Sequence, residues 1–99
     1  MALNRVVVTG IGALTPLGNT VSEYWQGLES GISGCDFIQQ FDVSKFKTRF
    51  ACEVKNFDPT NYIDKKEARK MDRYCQFAIV ASDEAVKDAG ITKDNVNTD

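Results

Sequence analysis

The run Val6-Val7-Val8, followed by Gly10 and Gly12, constrains the fold of this chain more than any other feature. Three consecutive β-branched residues leave no polar face. Arg5 to Val8 therefore reads as a strand buried on both sides at the centre of an α/β sheet, and the glycines read as a tight loop leaving it. After Pro16 and Gly18, the sequence Thr20-Val21-Ser22-Glu23 matches a capping box, in which threonine hydroxyl and glutamate carboxylate satisfy each other's exposed amides. The helix it opens carries Val21, Tyr24, Trp25 and Leu28 on one stripe and runs about three turns. Gly31-Ile32 has the pattern of a left-handed cap with its hydrophobic contact.

From Ser33 to Tyr62 the pattern is irregular, with Phe37, Phe41, Phe46, Phe50 and Phe57 spaced among polar residues as aromatic anchors. Only Phe50 to Val54 reads as a strand. Asp58-Pro59 predicts a short helical turn, with aspartate as cap and proline at the first helical position, ending before Asp64. The longest element is a helix from about Lys66 to Ala89, with an apolar stripe of Tyr74, Phe77, Ala78, Ala81, Ala85 and Ala89, closed by Gly90-Ile91. Its alanines imply close packing against another element. Thr92 to Asp99 is polar, with no further strand or helix expected.

Ninety-nine residues, 42% of them apolar, suffice for one small domain and not two. With 12 basic and 14 acidic side chains the chain has no general attraction for nucleic acid or an anionic membrane, so any electrostatic partner must be local. Val6 to Val8 is too short for a secretory leader, and no segment approaches membrane-spanning length. There is no histidine, which excludes Ser-His-Asp and Cys-His catalysis within the chain. Cys35, Cys52 and Cys75 are an odd number without CxxC spacing. They argue against a disulfide framework or zinc knuckle and fit a reducing cytoplasm.

Three features are candidates for function. Gly10-Ile11-Gly12 after a strand imitates a dinucleotide loop, but Thr15 stands where the third glycine belongs and Pro16 where the helix should start. The glycines read as packing residues, and no cofactor or metal is expected. The cysteines lack an activating base and read as small buried hydrophobes rather than nucleophiles. The third candidate is the basic run at Lys65, Lys66, Arg69, Lys70 and Arg73. On one continuous helix, Lys66, Arg69, Lys70 and Arg73 share a face. Asp64 to Arg73 holds five positive and three negative charges, so spacing alone allows either a solvated face paired to Glu67 and Asp72 or a surface for an acidic partner.

Arg5 to Gly12, Thr15-Pro16-Leu17-Gly18-Asn19, Trp25, Gly31-Ile32-Ser33-Gly34, the stretch from Phe41 to Ala51 and Lys66-Glu67-Ala68-Arg69-Lys70-Met71-Asp72 together resemble the opening of the β-ketoacyl-acyl-carrier-protein synthase II family. These are elongating condensing enzymes of the thiolase-like superfamily. The first two motifs are shared with polyketide ketosynthases; the last two are more specific to the elongating enzymes. The resemblance covers essentially the whole chain. It implies that residues 1–99 are the amino-terminal portion of the synthase's N-terminal domain, part of the first half of a layered α-β-α-β-α fold. It implies fatty-acid chain elongation, in which an acyl group passes from acyl carrier protein to a cysteine and condenses with malonyl carrier protein, releasing carbon dioxide. The nucleophilic cysteine and two assisting histidines of that family belong beyond Asp99, so the chain alone is expected to be inactive and to associate with itself or a missing part. The resemblance also assigns Lys66, Arg69 and Lys70, with Lys65 beside them, to docking of the acidic carrier protein. It implies a homodimer in the cytoplasm. An initiating or polyketide synthase, a non-catalytic module for an acidic protein, and a nucleotide-binding domain are the alternatives.

Overall fold

Local capping decides most helix boundaries in this chain. A computed structural model describes residues 3–96. Helix α1, Val21–Glu29, begins where Thr20 Oγ1 accepts the Glu23 amide at 3.1 Å. The capping box is offset by one residue, because the Glu23 carboxylate accepts from the amide of Asn19, at 2.7 Å, rather than from that of Thr20. Gly31 ends the helix at φ 67, and Ile32 N–H returns to Gly27 C=O at 3.0 Å. The predicted stripe is only half realised. Val21 and Tyr24 are half-buried and Gly27 is buried, whereas Trp25 and Leu28 are exposed.

Strands β1, Asp36–Phe37, and β2, Phe50–Ala51, form an antiparallel pair with Asp36 opposite Ala51 and Phe37 opposite Phe50. The Ile38 amide extends the ladder by donating to Arg49 C=O at 3.0 Å. The β2 ladder is shorter than predicted because Glu53 turns its carboxylate onto the amides of Gln39 and Gln40. Of the five phenylalanine anchors, Phe57 is half-buried against Tyr62 and Phe77, while Phe37, Phe41, Phe46 and Phe50 are exposed.

A 3-10 turn at Pro59–Asn61 leads to α2, Lys65–Arg69, and α3, Arg73–Ala89. Two helices thus replace the single predicted one. The backbone tightens where the Lys70 and Met71 amides reach back only three residues, to Glu67 and Ala68, and Asp72 takes an extended conformation that starts α3 afresh. The break is tied down by Gln76, whose Nε2 donates to Ala68 C=O at 3.0 Å. Helix α3 ends as predicted, with Gly90 at φ 70 and Ile91 N–H on Val86 C=O. Its expected stripe is realised in part: Phe77, Ala81, Ala85 and Ala89 are half-buried, Tyr74 and Ala78 are exposed, and Gln76 and Val80 beside the stripe are buried.

Arg5 to Val8 carries no ladder among the described residues, and Val6 and Val8 are 88% and 84% exposed. The predicted strand does not form because no other strand among the described residues lies beside it to take its backbone hydrogen bonds. The following glycines do pack as predicted. A Cβ on Gly10 would meet Ala89 N at 2.5 Å and Ala89 Cβ at 2.8 Å, and one on Gly12 would overlap Ala81 C=O and come within 2.9 Å of Ala85 N. The alanine face of α3 is therefore the surface on which this loop rests, with no room between them for a phosphate. Gly12→Val is expected to destabilise the contact by about 1–3 kcal/mol, as overpacking does, and to lower the temperature at which helical circular dichroism is lost. Gly31→Asn, in open space at a left-handed position that asparagine tolerates, is the control expected to change little.

Candidate functional site

The basic run occupies the short helix α2, whose N-cap Asp64 makes no side-chain cap hydrogen bond and whose C-terminal end is tied to α3 through Gln76. In the 3-10 turn that precedes α2, Asp58 Oδ1 accepts the Thr60 hydroxyl at 2.6 Å and the Thr60 amide at 2.9 Å, which hold its carboxyl below the ordinary carboxylate range. The cap therefore contributes above the ordinary aspartate range and is lost as pH falls through the depressed value. Ala68, 5% exposed, is the face of α2 turned inward, so the charged residues around it face solvent. Lys65, Lys66, Arg69 and Lys70 are all exposed. Lys70 Nζ lies 3.5 Å from Glu67 Oε1, an exposed pair of small energetic weight. Lys65, Lys66 and Arg69 have no ion pair among the described residues, and Asp72 makes none with the run.

Arg73 departs from the predicted face. The helix break redirects it, and its guanidinium lies 5.3 Å from the Phe57 ring centroid and 5.6 Å from that of Phe77. It acts as a cation–π clasp between the aromatic cluster and the start of α3. The four candidates on or bordering α2 stay together; the fifth cation becomes structural.

The cysteines are not the buried hydrophobes expected. Cys35 and Cys52 are exposed and Cys75 is half-buried on α3. On the two-stranded hairpin, none of the described residues covers Cys35 or Cys52. Among the described residues no group of histidine, cysteine or carboxylate side chains has the arrangement of a metal site.

Sequence reasoning missed the polar latch between the glycine loop and α3. Glu84 accepts the Ala13 amide through Oε1 at 2.9 Å and the Val21 amide through Oε2 at 3.1 Å, and Asp88 accepts the Ile11 amide at 3.0 Å. One carboxylate thereby joins the loop, the N-terminus of α1 and the middle of α3. Spacing of four residues between Glu84 and Asp88 was the available signal, but it does not tell backbone acceptors from a solvated face. A second latch was equally hidden: Lys55 Nζ donates to Pro16 C=O and Gly34 C=O, and Asn19 Nδ2 to Lys55 C=O, tying the Thr15 to Asn19 loop to the segment after β2.

The family model described as "Beta-ketoacyl synthase, N-terminal domain" matches residues 3–99. The chain belongs to the β-ketoacyl synthase family. This β-ketoacyl synthase chain is 52% identical over 95 residues to "3-oxoacyl-[acyl-carrier-protein] synthase 2" of Synechocystis sp., covering 96% of the chain and 23% of that relative. It is 50% identical over 97 residues to the protein of the same name from Vibrio harveyi, with the same shares covered. Its structure matches "The ishigamide ketosynthase/chain length factor" with TM-score 0.82 at 40% identity, over 92% of the chain and 23% of that structure. The β-ketoacyl synthase chain thus spans less than a quarter of the length of these relatives, and its α/β architecture is part of the first half of a thiolase-like fold. No helix among the described residues is long and apolar enough to cross a membrane.

Proposed function

We propose that residues 1–99 form the amino-terminal portion of the N-terminal domain of an elongating β-ketoacyl synthase, and that α2 is where that enzyme receives acyl carrier protein. The reading rests on the 52% identity to 3-oxoacyl-[acyl-carrier-protein] synthase 2 across nearly the whole chain. The reaction is an acyl transfer to a cysteine thiolate, followed by condensation with malonyl carrier protein and loss of carbon dioxide, which leaves an enolate for polarised donors to stabilise. This chain has no histidine to assist it. Its own part is to present cations. The complete enzyme works as a cytoplasmic homodimer. A polyketide ketosynthase is the second reading, favoured by the likeness to the ishigamide protein, at lower identity.

Lys65, Lys66 and Arg69, unpaired among the described residues, are placed to steer an acidic carrier, with Lys70 at the edge of the surface. Such charges act mainly on association rate and are weakened by salt. In a synthase carrying this chain as its amino-terminal part, Lys66→Glu with Arg69→Glu is expected to lower carrier affinity by about tenfold or more at low ionic strength and to flatten its salt dependence. Unchanged affinity and salt dependence in titrations of the variant would remove α2 from the docking surface. Arg73→Glu is expected to act on folding instead, through the lost clasp on Phe57 and Phe77.

A further inference from the structure

Continued by one pair, the β1–β2 register sets Cys35 opposite Cys52. Ile38 N–H donates to Arg49 C=O, so Ile38 and Arg49 form a hydrogen-bonded pair. Pairs alternate along an antiparallel ladder, making Phe37 with Phe50 a non-hydrogen-bonded pair, Asp36 with Ala51 a hydrogen-bonded one, and Cys35 with Cys52 again non-hydrogen-bonded. Directly opposed residues of that kind have Cα atoms about 4.5 Å apart and side chains on one face, inside the roughly 4.4–6.8 Å that a disulfide spans. Both thiols are exposed, and Cys75 lies elsewhere, on α3.

We propose that Cys35 and Cys52 are a reversible cross-strand dithiol, oxidised by hydrogen peroxide to a disulfide that staples the β1–β2 hairpin. One thiol gives up its proton and its thiolate attacks the peroxide; the O–O bond breaks, a sulfenic acid forms, and the departing hydroxide takes up that proton to leave as the first water. The second sulfur attacks the sulfenic sulfur, the S–O bond breaks and the S–S bond forms, and the departing hydroxide takes up a proton to become the second water. Two thiols are oxidised and one peroxide is reduced. The link closes the excursion through Phe41 and Phe46 and fixes one wall of the roughly 760 Å³ groove lined by Phe37, Ala51, Glu53 and Arg73. Partial desolvation, then the Cys52 thiol and the Asp36 carboxylate, hold the Cys35 thiol above its ordinary range, against the opposing charge of Lys55. The thiolate fraction is accordingly small at neutral pH, and oxidation accelerates as pH rises.

The test is peroxide treatment of the reduced full chain, read by intact mass and by tryptic digestion without reductant. The expected result is a loss of about 2 Da per chain, the two hydrogens of one disulfide, reversed by a dithiol. In the digest, the peptide of residues 6–45 is joined to that of residues 50–55. Cys75→Ser keeps the link, Cys35→Ser and Cys52→Ser each abolish it, and in denaturant it forms at least about tenfold more slowly, because the opposed geometry is gone. A link to Cys75, a doubled mass, oxygen addition without the link, or an equal rate in denaturant overturns the proposal.

Discussion

Purified by itself, the chain is expected to elute as an associated species and to give no sharp cooperative melt as a monomer. A folded monomer of 11.0 kDa exposes about 5,600 Å², whereas this chain exposes 8302 Å². Its radius of gyration is 17.5 Å, against roughly 13 Å for a compact domain of this length. The excess includes large apolar side chains: Val6, Val8 and Phe37 are 88%, 84% and 70% exposed, and the buried hydrophobic residues among those described are Ala68 and Val80. Surface of this kind is removed from water by association. Light scattering across a concentration series is the measurement. A species of 11.0 kDa at every concentration, melting in one sharp step, is the outcome that would refute it.

The second large effect belongs to Glu84. Its two oxygens accept separate backbone amides, those of Ala13 and Val21, and neither donor has another acceptor in the hydrogen-bond network described. A hydrogen bond to a charged group contributes about 1.5–3 kcal/mol, and a negative group is further favoured at the N-terminus of α1. Glu84→Ala should therefore speed hydrogen exchange at both amides by about 10- to 100-fold, taking tenfold per 1.4 kcal/mol. Glu84→Gln offers one acceptor oxygen in place of two and is expected to release one amide only. Exchange that is unchanged at both positions in Glu84→Ala would show that the carboxylate is not what holds the glycine loop to α1.

Thr20, Gly31, Asp58 and Gly90 act on backbone within a few residues of themselves, and each does what its type and spacing imply. That Gly10 and Gly12 pack closely, and that the alanines of α3 do, was legible in each segment separately; that they pack on each other was not. The basic residues of α2 were legible as a cluster, and their carrier-docking role rests on the resemblance. Arg73 was misassigned, since nothing in the charge spacing signals a helix break between Lys70 and Asp72.

By itself, then, the sequence determined the family, the caps and the absence of a histidine-based catalyst, all of which depend on residue identity or on neighbours a turn away. Tertiary structure alone decided that Val6 to Val8 has no ladder, that Glu84 and Asp88 hold the loop, and that Cys35 faces Cys52. A strand needs hydrogen-bond partners from another segment, and two thiols seventeen positions apart meet only when an antiparallel register is chosen. Local chemistry states which groups need partners; the path of the chain decides which partners they meet.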